Sequence, residues 1–391
     1  MTLHQPIAVN SALHHTMQQW RRDIHQHPET AYEEFRTSQK VAEQLKVLGL
    51  AVYENIGGTG VVGVLKGKQG IGRHIGLRAD MDALPLLELN TFEHKSCHHG
   101  KMHGCGHDGH TTMLLGAATY LAQHNDFKGT VYFIFQPAEE GFAGAKRMIE
   151  DGLFTRFPIE EVYGMHNWPD LPAGQLGIHT GAVMASTDSF YITVTGKGGH
   201  AAIPDGVIDP IVVTGQLILA IQSIVSRNIS PLKSGVVSIT QVHGGSATNI
   251  IPEEVKLSGT IRTLDENQRA LIKERLEQIV TQTAHAFGAH ASLEIKPMYP
   301  VTQNTEREAE YCYEAAKSLV GESNAIWNPL PSMAAEDFSF MLQQRPGAYI
   351  WLGNGASTHN KPLHNPYYDF NDGVLPLGAS FWVCLVEQRC C

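Results

Sequence analysis

Three short apolar runs, each ending in acidic or coordinating side chains, constrain this chain more than any other feature: "HIGLRADMDALP" at 74–85, "TVYFIFQPAEEG" at 130–141 and "EVYGMHNWP" at 161–169. Runs this short and this rich in β-branched and aromatic residues read as buried strands. Helical segments separate them, including the apolar stretch "TTMLLGAATYLAQ" at 111–123. Strands alternating with helices predict an α/β domain with a mixed, largely parallel sheet flanked by helices. In such a sheet, reactive groups collect at the carboxyl ends of the strands. Ahead of these runs the chain reads as two helices broken at Pro28, the second facing inward through Phe35, Val41, Leu45 and Leu48, followed by the short strand "GVVGVLKG" at 60–67.

A chain of 391 residues is too long for one ordinary core, so two domains are expected. The texture changes near Ala185. From there "DSFYITVTGKGGHAA" alternates like a half-exposed strand, followed by "DPIVVTGQLILAIQSIV", "GVVSITQVHGG", "EVKLSGTIRTL", "ENQRALIKERLEQIVTQTAHAFG" and "ASLEIKPMYP". The order β-α-β-β-α-β is the ferredoxin-like α+β unit. This places a second domain at 186–297, inserted into a discontinuous first domain of residues 1–185 and 298–391. After the insertion the strand "AYIWLGNG" is the clearest element, and the pattern ends after "LHNPYYDFND".

A net charge of −10 without a basic run argues against nucleic acid or an anionic membrane as partner. There is no basic and apolar leader at the start and no uninterrupted apolar run of about 18 residues, so neither a signal peptide nor a membrane span is expected. Six cysteines without a CxxC pair do not form a disulfide framework, and a reducing, cytoplasmic setting is the expectation. Cys390 and Cys391 read as an exposed tail.

The stretch "HGCGHDGH" at 103–110 sets the chemical question. By itself it fits a metal site, a thiol nucleophile with its base, or a surface histidine patch. A lone histidine is more often a hydrogen-bonded structural group, and an EE pair is usually a solvated face. Here, however, Cys105 and His107, then Glu139 and Glu140, then His166 all lie at or beside predicted strand ends, with His364 late in the chain. These are the ligand types of zinc and its neighbours. Gly104, Gly106 and Gly109 are expected to permit the sharp turns that bring Cys105 and His107 together. His103 and His110 read as supporting groups.

The segments "HGCGHDGHTTMLLGAA", "FQPAEEG", "GMHNWP", "GKGGHAAIPDGVIDPI", "TNIIPEEVKLSGTIRT", "EDFSFM" and "LHNP" resemble, in order and over nearly the whole chain, the metal-dependent aminoacylase/carboxypeptidase family. The resemblance is to the branch of hippurate hydrolase, N-acyl-amino-acid amidohydrolases and auxin-conjugate hydrolases. It implies an α/β catalytic domain with an inserted lid or dimerisation domain, and a homodimer or dimer-based tetramer. It further implies two divalent ions per subunit, manganese or zinc with nickel or cobalt as alternatives, held by Cys105, His107, Glu140, His166 and His364. Glu139 is then the general base, and His200 acts on the substrate carbonyl. Relatives commonly place a histidine ligand where Asp80 stands. Asp80 is therefore left out of the ligand set, with Asp82 supporting a ligand from behind.

In the inserted domain Asn249 and Arg262 are candidate substrate-binding residues, because a guanidinium suits the α-carboxylate of an amino acid. The implied reaction is hydrolysis of an N-acyl L-amino acid, with Trp168, Tyr163 and Met184 favouring an aromatic or apolar acyl group. Alternatives are a dipeptidase or carboxypeptidase of the same family, a Cys105-dependent thiol hydrolase with His107 as base, and a silent binder of amino-acid conjugates.

Overall fold

The computed structural model describes residues 11–355 and 361–391, and divides them into two units. The first comprises residues up to Gly181 together with Gln303–Pro331 and Asp337–Cys391. It opens with helices α1 (Ser11–Gln26) and α2 (Phe35–Val47), then strands β1 (Ala51–Ile56), β2 (Gly60–Lys66) and β3 (His74–Asp80). Helix α3 (His107–Gln123) leads to β4 (Thr130–Gln136), β5 (Glu161–Pro172) and β6 (Leu176–Ile178). In α2, Val41 and Leu45 are buried as the spacing predicts, but Phe35 is 68% exposed. It stands on the first turn, before the apolar stripe begins.

The second unit is Ala182–Thr302 with Ser332–Glu336. Its elements are β7 (Ser186–Thr195), α4 (Pro210–Ser223), β8 (Gly235–Gly244), β9 (Glu254–Thr263), α5 (Glu266–Ala286) and β10 (His290–Pro297). The sheet order is β8-β9-β7-β10, antiparallel throughout. Alternate residues Phe190, Ile192 and Val194 of β7 meet Leu217 and Ile221 of α4 and Leu276 and Val280 of α5 in a core of their own. Asp209 and Asp265 cap the two helices through backbone N–H groups. The stretch Pro210–Asn228 is on average long and apolar enough to cross a membrane, although Val213, Leu217, Ile221 and Ile224 are used to close this core. The unit's incoming and outgoing strands are tied together: Thr187 N–H donates to Tyr299 O at 2.9 Å, and Met298 N–H to Thr187 O at 3.2 Å.

The chain then completes the first unit with α6 (Glu306–Val320), β11 (Ala325–Trp327), β12 (Gly347–Gly355) and α7 (Leu375–Arg389). Its eight strands run in the order β1-β2-β4-β3-β5-β12-β6-β11. The central strands β4, β3, β5 and β12 are mutually parallel, and β1 and β2 join antiparallel at one side. β4 is buried along its whole length, which is why its sequence shows no polar alternation.

Helix α7 is the element that sequence pattern misses. It is apolar on nearly every side and packs against α3 and α6, so it lacks the one-sided stripe that marks a surface helix. It also corrects the reading of the C-terminus. Cys390 is buried, and its carbonyl accepts the Lys128 N–H at 2.7 Å; only Cys391 is exposed.

Candidate metal centre

Parallel pairing of β4, β3 and β5 brings their carboxyl ends to one edge of the sheet, and the segments leaving that edge carry the coordinating groups. Gly106 adopts φ +93°, and a Cβ there would lie 2.2 Å from Asn167 Oδ1, so only glycine fits before α3. The helix starts at His107, four residues earlier than its apolar stretch suggests, which sets His107 on the first turn. Gly109 has a different task from the one expected. It lies inside α3, where a Cβ would meet the Phe370 ring at 2.2 Å, so it serves packing rather than a turn.

The imidazoles of His107 and His166 are oriented from behind. His107 Nδ1 donates to the Asp82 carbonyl at 2.8 Å with Asp82 Oδ1 3.2 Å away, which leaves the Nε2 lone pair facing inward. That Nε2 is buried without a hydrogen-bond partner among the described residues. His166 Nδ1 donates to the Asn167 carbonyl at 2.7 Å, and its Nε2 lies 3.4 Å from Cys105 Sγ. Among the described residues, five sets of side chains have ligand atoms mutually within 4.8 Å, and three of them combine the expected ligands: Cys105, His107 and His166; Cys105, Glu140 and His364; and His107, Glu139 and Glu140. Cys105 belongs to two of these sets. The orphaned His107 Nε2 and the mixed S, N and O donors fit divalent metal.

Asp80 and His110 also lie close to His107, but they are otherwise engaged. Asp80 Oδ1 is 2.6 Å from His110 Nδ1, and its Oδ2 accepts from Arg78 Nη1 at 2.7 Å. His364 sits in the left-handed region at φ +63°, and its N–H donates to Gly104 O at 2.8 Å, tying the late segment to the Cys105 loop. Its imidazole is 55% exposed, with Nε2 3.3 Å from Glu140 Oε1.

The charge balance of the protein atoms is that of a cation site. Burial disfavours a charged His107, yet Asp80, Asp82 and Glu140 push its pKa up to about 10. Burial opposes ionisation of Glu140 as well, but His364 and His107 hold it below the usual carboxylate range. The Cys105 thiol is pushed well up by burial and by Glu140, Glu139 and Asp80. A coordinated thiol behaves in the opposite way, since a bound divalent ion removes its proton outright.

The glutamates stand on a strained turn. Ala138 (φ +54°) and Ala143 (φ +55°) are both left-handed, at a cost of about 1–2 kcal/mol each. Gly144 closes the turn, where a Cβ would sit 1.7 Å from Pro137 O. Three carboxylates hold the segment by its backbone: Glu34 accepts from Ala138 N, Asp82 Oδ2 from Glu140 N and Asp337 Oδ2 from Ala145 N, each at 2.9 Å. The Asp337 N–H in turn donates to Glu139 Oε1 at 3.2 Å.

Of these three carboxylates sequence reasoning singles out Asp82 as a support, but it misses Glu34 and Asp337, whose contacts with the turn join segments far apart in the chain. It also misses the buried ion cluster behind α3. Arg21 bonds Asp369 and Asp372, and His25 Nδ1 lies 2.8 Å from Asp108 Oδ2 beside His107. Burial works against a charged His25, but Asp108 and Glu88 hold it up to about 9. Periodicity does not mark these groups, since each is a polar residue on an otherwise ordinary helix face or loop.

Trp168 lies on the same strand face as His166, with ring centroids 6.3 Å apart, and stacks in parallel on Trp351 at 4.0 Å. Tyr163 is a correction. Odd-numbered residues of β5 point to the other face, and its hydroxyl donates to Glu161 at 2.8 Å, away from the centre. Met184 is buried in the second unit.

The second unit carries the other candidates. His200 pairs with Ile250 in a two-stranded ribbon, and Ala201 N–H donates to Asn249 O at 3.1 Å, so His200 and Asn249 are neighbours. Ala202 N–H donates to His200 Nδ1, which leaves Nε2 as the ring nitrogen that can donate. Arg262 lies on the face of β9 opposite the core residue Ile261, half-buried, with a buried Nη1 that has no hydrogen-bond partner among the described residues.

The model of Peptidase family M20/M25/M40 matches residues 76–388. The chain belongs to this family. Among M20 relatives it is 46% identical to the hippurate hydrolase of Campylobacter jejuni, over 93% of this chain and 94% of that protein. It is 37% identical to the N-acetylcysteine deacetylase of Bacillus subtilis, over 96% and 97% of the two chains. Among solved structures it resembles the Bacillus subtilis YXEP protein, described as a dinuclear metal binding peptidase of the M20 family. There the TM-score is 0.86 at 32% identity, with 97% and 98% of the chains covered.

Proposed function

We propose that this M20 protein is a metal-dependent amidohydrolase that cleaves N-acyl L-amino acids, with an aromatic or apolar acyl group, to a carboxylic acid and a free amino acid. One observation carries the reading: Cys105 with His107 and His166, and Cys105 with Glu140 and His364, bring ligand atoms within 4.8 Å of one another, with a second carboxylate, Glu139, beside His107 and Glu140. The alternative of Cys105 as a nucleophile leaves both glutamates without a task. The 46% identity to a hippurate hydrolase supports the substrate class, and the Trp168 platform backed by Trp351 supports an aromatic acyl group.

Cys105, His107, Glu140, His166 and His364 would hold two divalent ions, manganese or zinc. When bound, such ions polarise the amide carbonyl and make water acidic at neutral pH. Glu139 accepts a proton from the attacking water and passes it to the leaving nitrogen as the C–N bond breaks. His200 Nε2–H donates to the carbonyl oxygen as negative charge develops there. Arg262 receives the α-carboxylate, with Asn249 beside His200. Asp82 keeps His107 in the required tautomer.

The test uses N-benzoylglycine and its carboxamide. The free acid is expected to be hydrolysed, and blocking its carboxylate should raise KM about 10–100-fold, the worth of a charge-assisted hydrogen bond. In Arg262→Ala the same block should add little. Equal sensitivity in both proteins would remove Arg262 from the site, and turnover of neither compound would reject the substrate class.

The second unit is read as a lid and dimerisation domain of a cytoplasmic homodimer. Strand β8 is an edge of its sheet with Val236 and Val242 exposed, and α4 exposes Ile211, Val212 and Leu219; a two-fold mate would cover such surfaces. If His200 serves the partner's metal centre, Glu139→Gln and His200→Ala proteins, each inactive alone, should recover roughly a quarter of parental activity after subunit exchange. Silence after exchange has been verified with a tagged subunit would place His200 in its own subunit's site.

A further inference from the structure

We infer that Glu34 is a positioning residue for Glu139. This rests on the reading of Glu139 as the general base, and it assigns a reaction-specific task to a group remote in sequence.

Glu34 is fully buried, although a carboxylate is among the residues least often found inside without a counter-ion. Among the described residues no cation is a hydrogen-bond partner of its side chain; the donors that converge on it are neutral. Its Oε1 accepts the Ala138 N–H at 2.9 Å and the Tyr32 N–H at 3.0 Å, and its Oε2 accepts the Thr59 hydroxyl. Ala138 is the residue immediately before Glu139, and it is left-handed without being glycine. The carboxylate therefore grips the peptide whose unfavourable dihedrals aim Glu139. Burial and the nearby Asp82 raise the Glu34 pKa to about 7, so the arrangement costs something that packing alone would not require.

The same short segment grips the other end of the turn. Tyr32, also left-handed at φ +62°, donates its hydroxyl to the Phe142 carbonyl at 3.1 Å and meets the Phe142 ring edge-on at 6.4 Å. The segment Tyr32–Glu34 thus spans the turn from Ala138 to Phe142. Glu140 is anchored separately through Asp82, so loosening Glu34 should displace the base more than the metal ligand.

The experiment measures kcat, KM and metal content of Glu34 variants with and without Glu139. Glu34→Gln keeps an acceptor for both N–H groups and can donate to a rotated Thr59 hydroxyl, so it should stay within a few-fold of the parent. Glu34→Met removes the acceptor and should lower kcat about 10²-fold, the typical cost of misplacing a catalytic group by an ångström. KM and the number of ions per chain should be unchanged. If Glu34→Met does not fold, Glu34→Asp, which retracts the carboxylate from Ala138, serves in its place with the same expected direction. In a Glu139→Gln background the Glu34 change should cost nothing further, because there is no base left to aim.

An equal loss in both backgrounds, or loss of bound metal in step with kcat, would make Glu34 a general structural residue and overturn the inference. An unchanged kcat would do the same. If Glu139→Gln itself leaves kcat intact, the assignment of the base has failed, an outcome distinct from failure of the Glu34 inference.

Discussion

Replacing Glu139 by glutamine should leave both ions in place and lower kcat by about 10²–10⁴-fold, the usual contribution of a positioned general base. The amide is close to isosteric and can still accept the Asp337 N–H at the Oε1 position, so the turn has no reason to rearrange. It cannot take a proton from water. Glu140→Ala should behave differently, although the two residues are adjacent. Glu140 lies with Cys105 and His364 in one ligand set and with His107 in another, so its loss should appear first as missing metal, measured by elemental analysis, and only then as missing activity. Finding full metal in Glu140→Ala and depleted metal in Glu139→Gln would reverse the two assignments.

Stripping the metal with a chelator should abolish hydrolysis and also destabilise the fold. The centre joins groups from four distant stretches of chain, and without a cation it leaves a buried orphan at His107 Nε2 and acidic groups crowded around Cys105. A ligand present at about 1,000 times its Kd adds about 4 kcal/mol of stability, which thermal unfolding would register as a clear fall in Tm on chelation. Adding back manganese or zinc should restore activity, and titration should saturate at two ions per chain. Full turnover by protein shown to be metal-free would reject the two-metal reading and return Cys105 to consideration as a nucleophile.

The parts of this centre that could be read in advance are those written in adjacent residues. Cys105 with His107, Glu139 with Glu140, and His166 all announce themselves because a strand too apolar to face water runs into groups that require water or a cation. The order of elements similarly gives the parallel sheet and the β-α-β-β-α-β unit. What stays hidden depends on contacts between distant segments. Nothing local indicates that Glu34 reaches Ala138, or that Arg21 and His25 brace the start of α3 through Asp108. Helix α7 is hidden for the opposite reason, since burial on all sides erases the periodic signal. Proximity in sequence is a poor guide for Tyr163; two-residue alternation along β5 sends it to the opposite face from His166.

The backbone bonds linking Thr187 to Tyr299 and Met298 have a bearing on how such an enzyme can diversify. Entry to and exit from the inserted unit are neighbours, so to the polypeptide that builds the catalytic sheet the whole excursion counts as one tight bend. The entropy of closing a loop grows only by about 0.6 kcal/mol for each doubling of its length, and a bend stapled at its base escapes most of even that. The excursion can therefore lengthen, shorten or be traded for another fold with little effect on the free energy of bringing His166 and His364 together. Changes in the inserted unit can thus accumulate without disturbing the closure that brings the stretches holding His166 and His364 into one sheet.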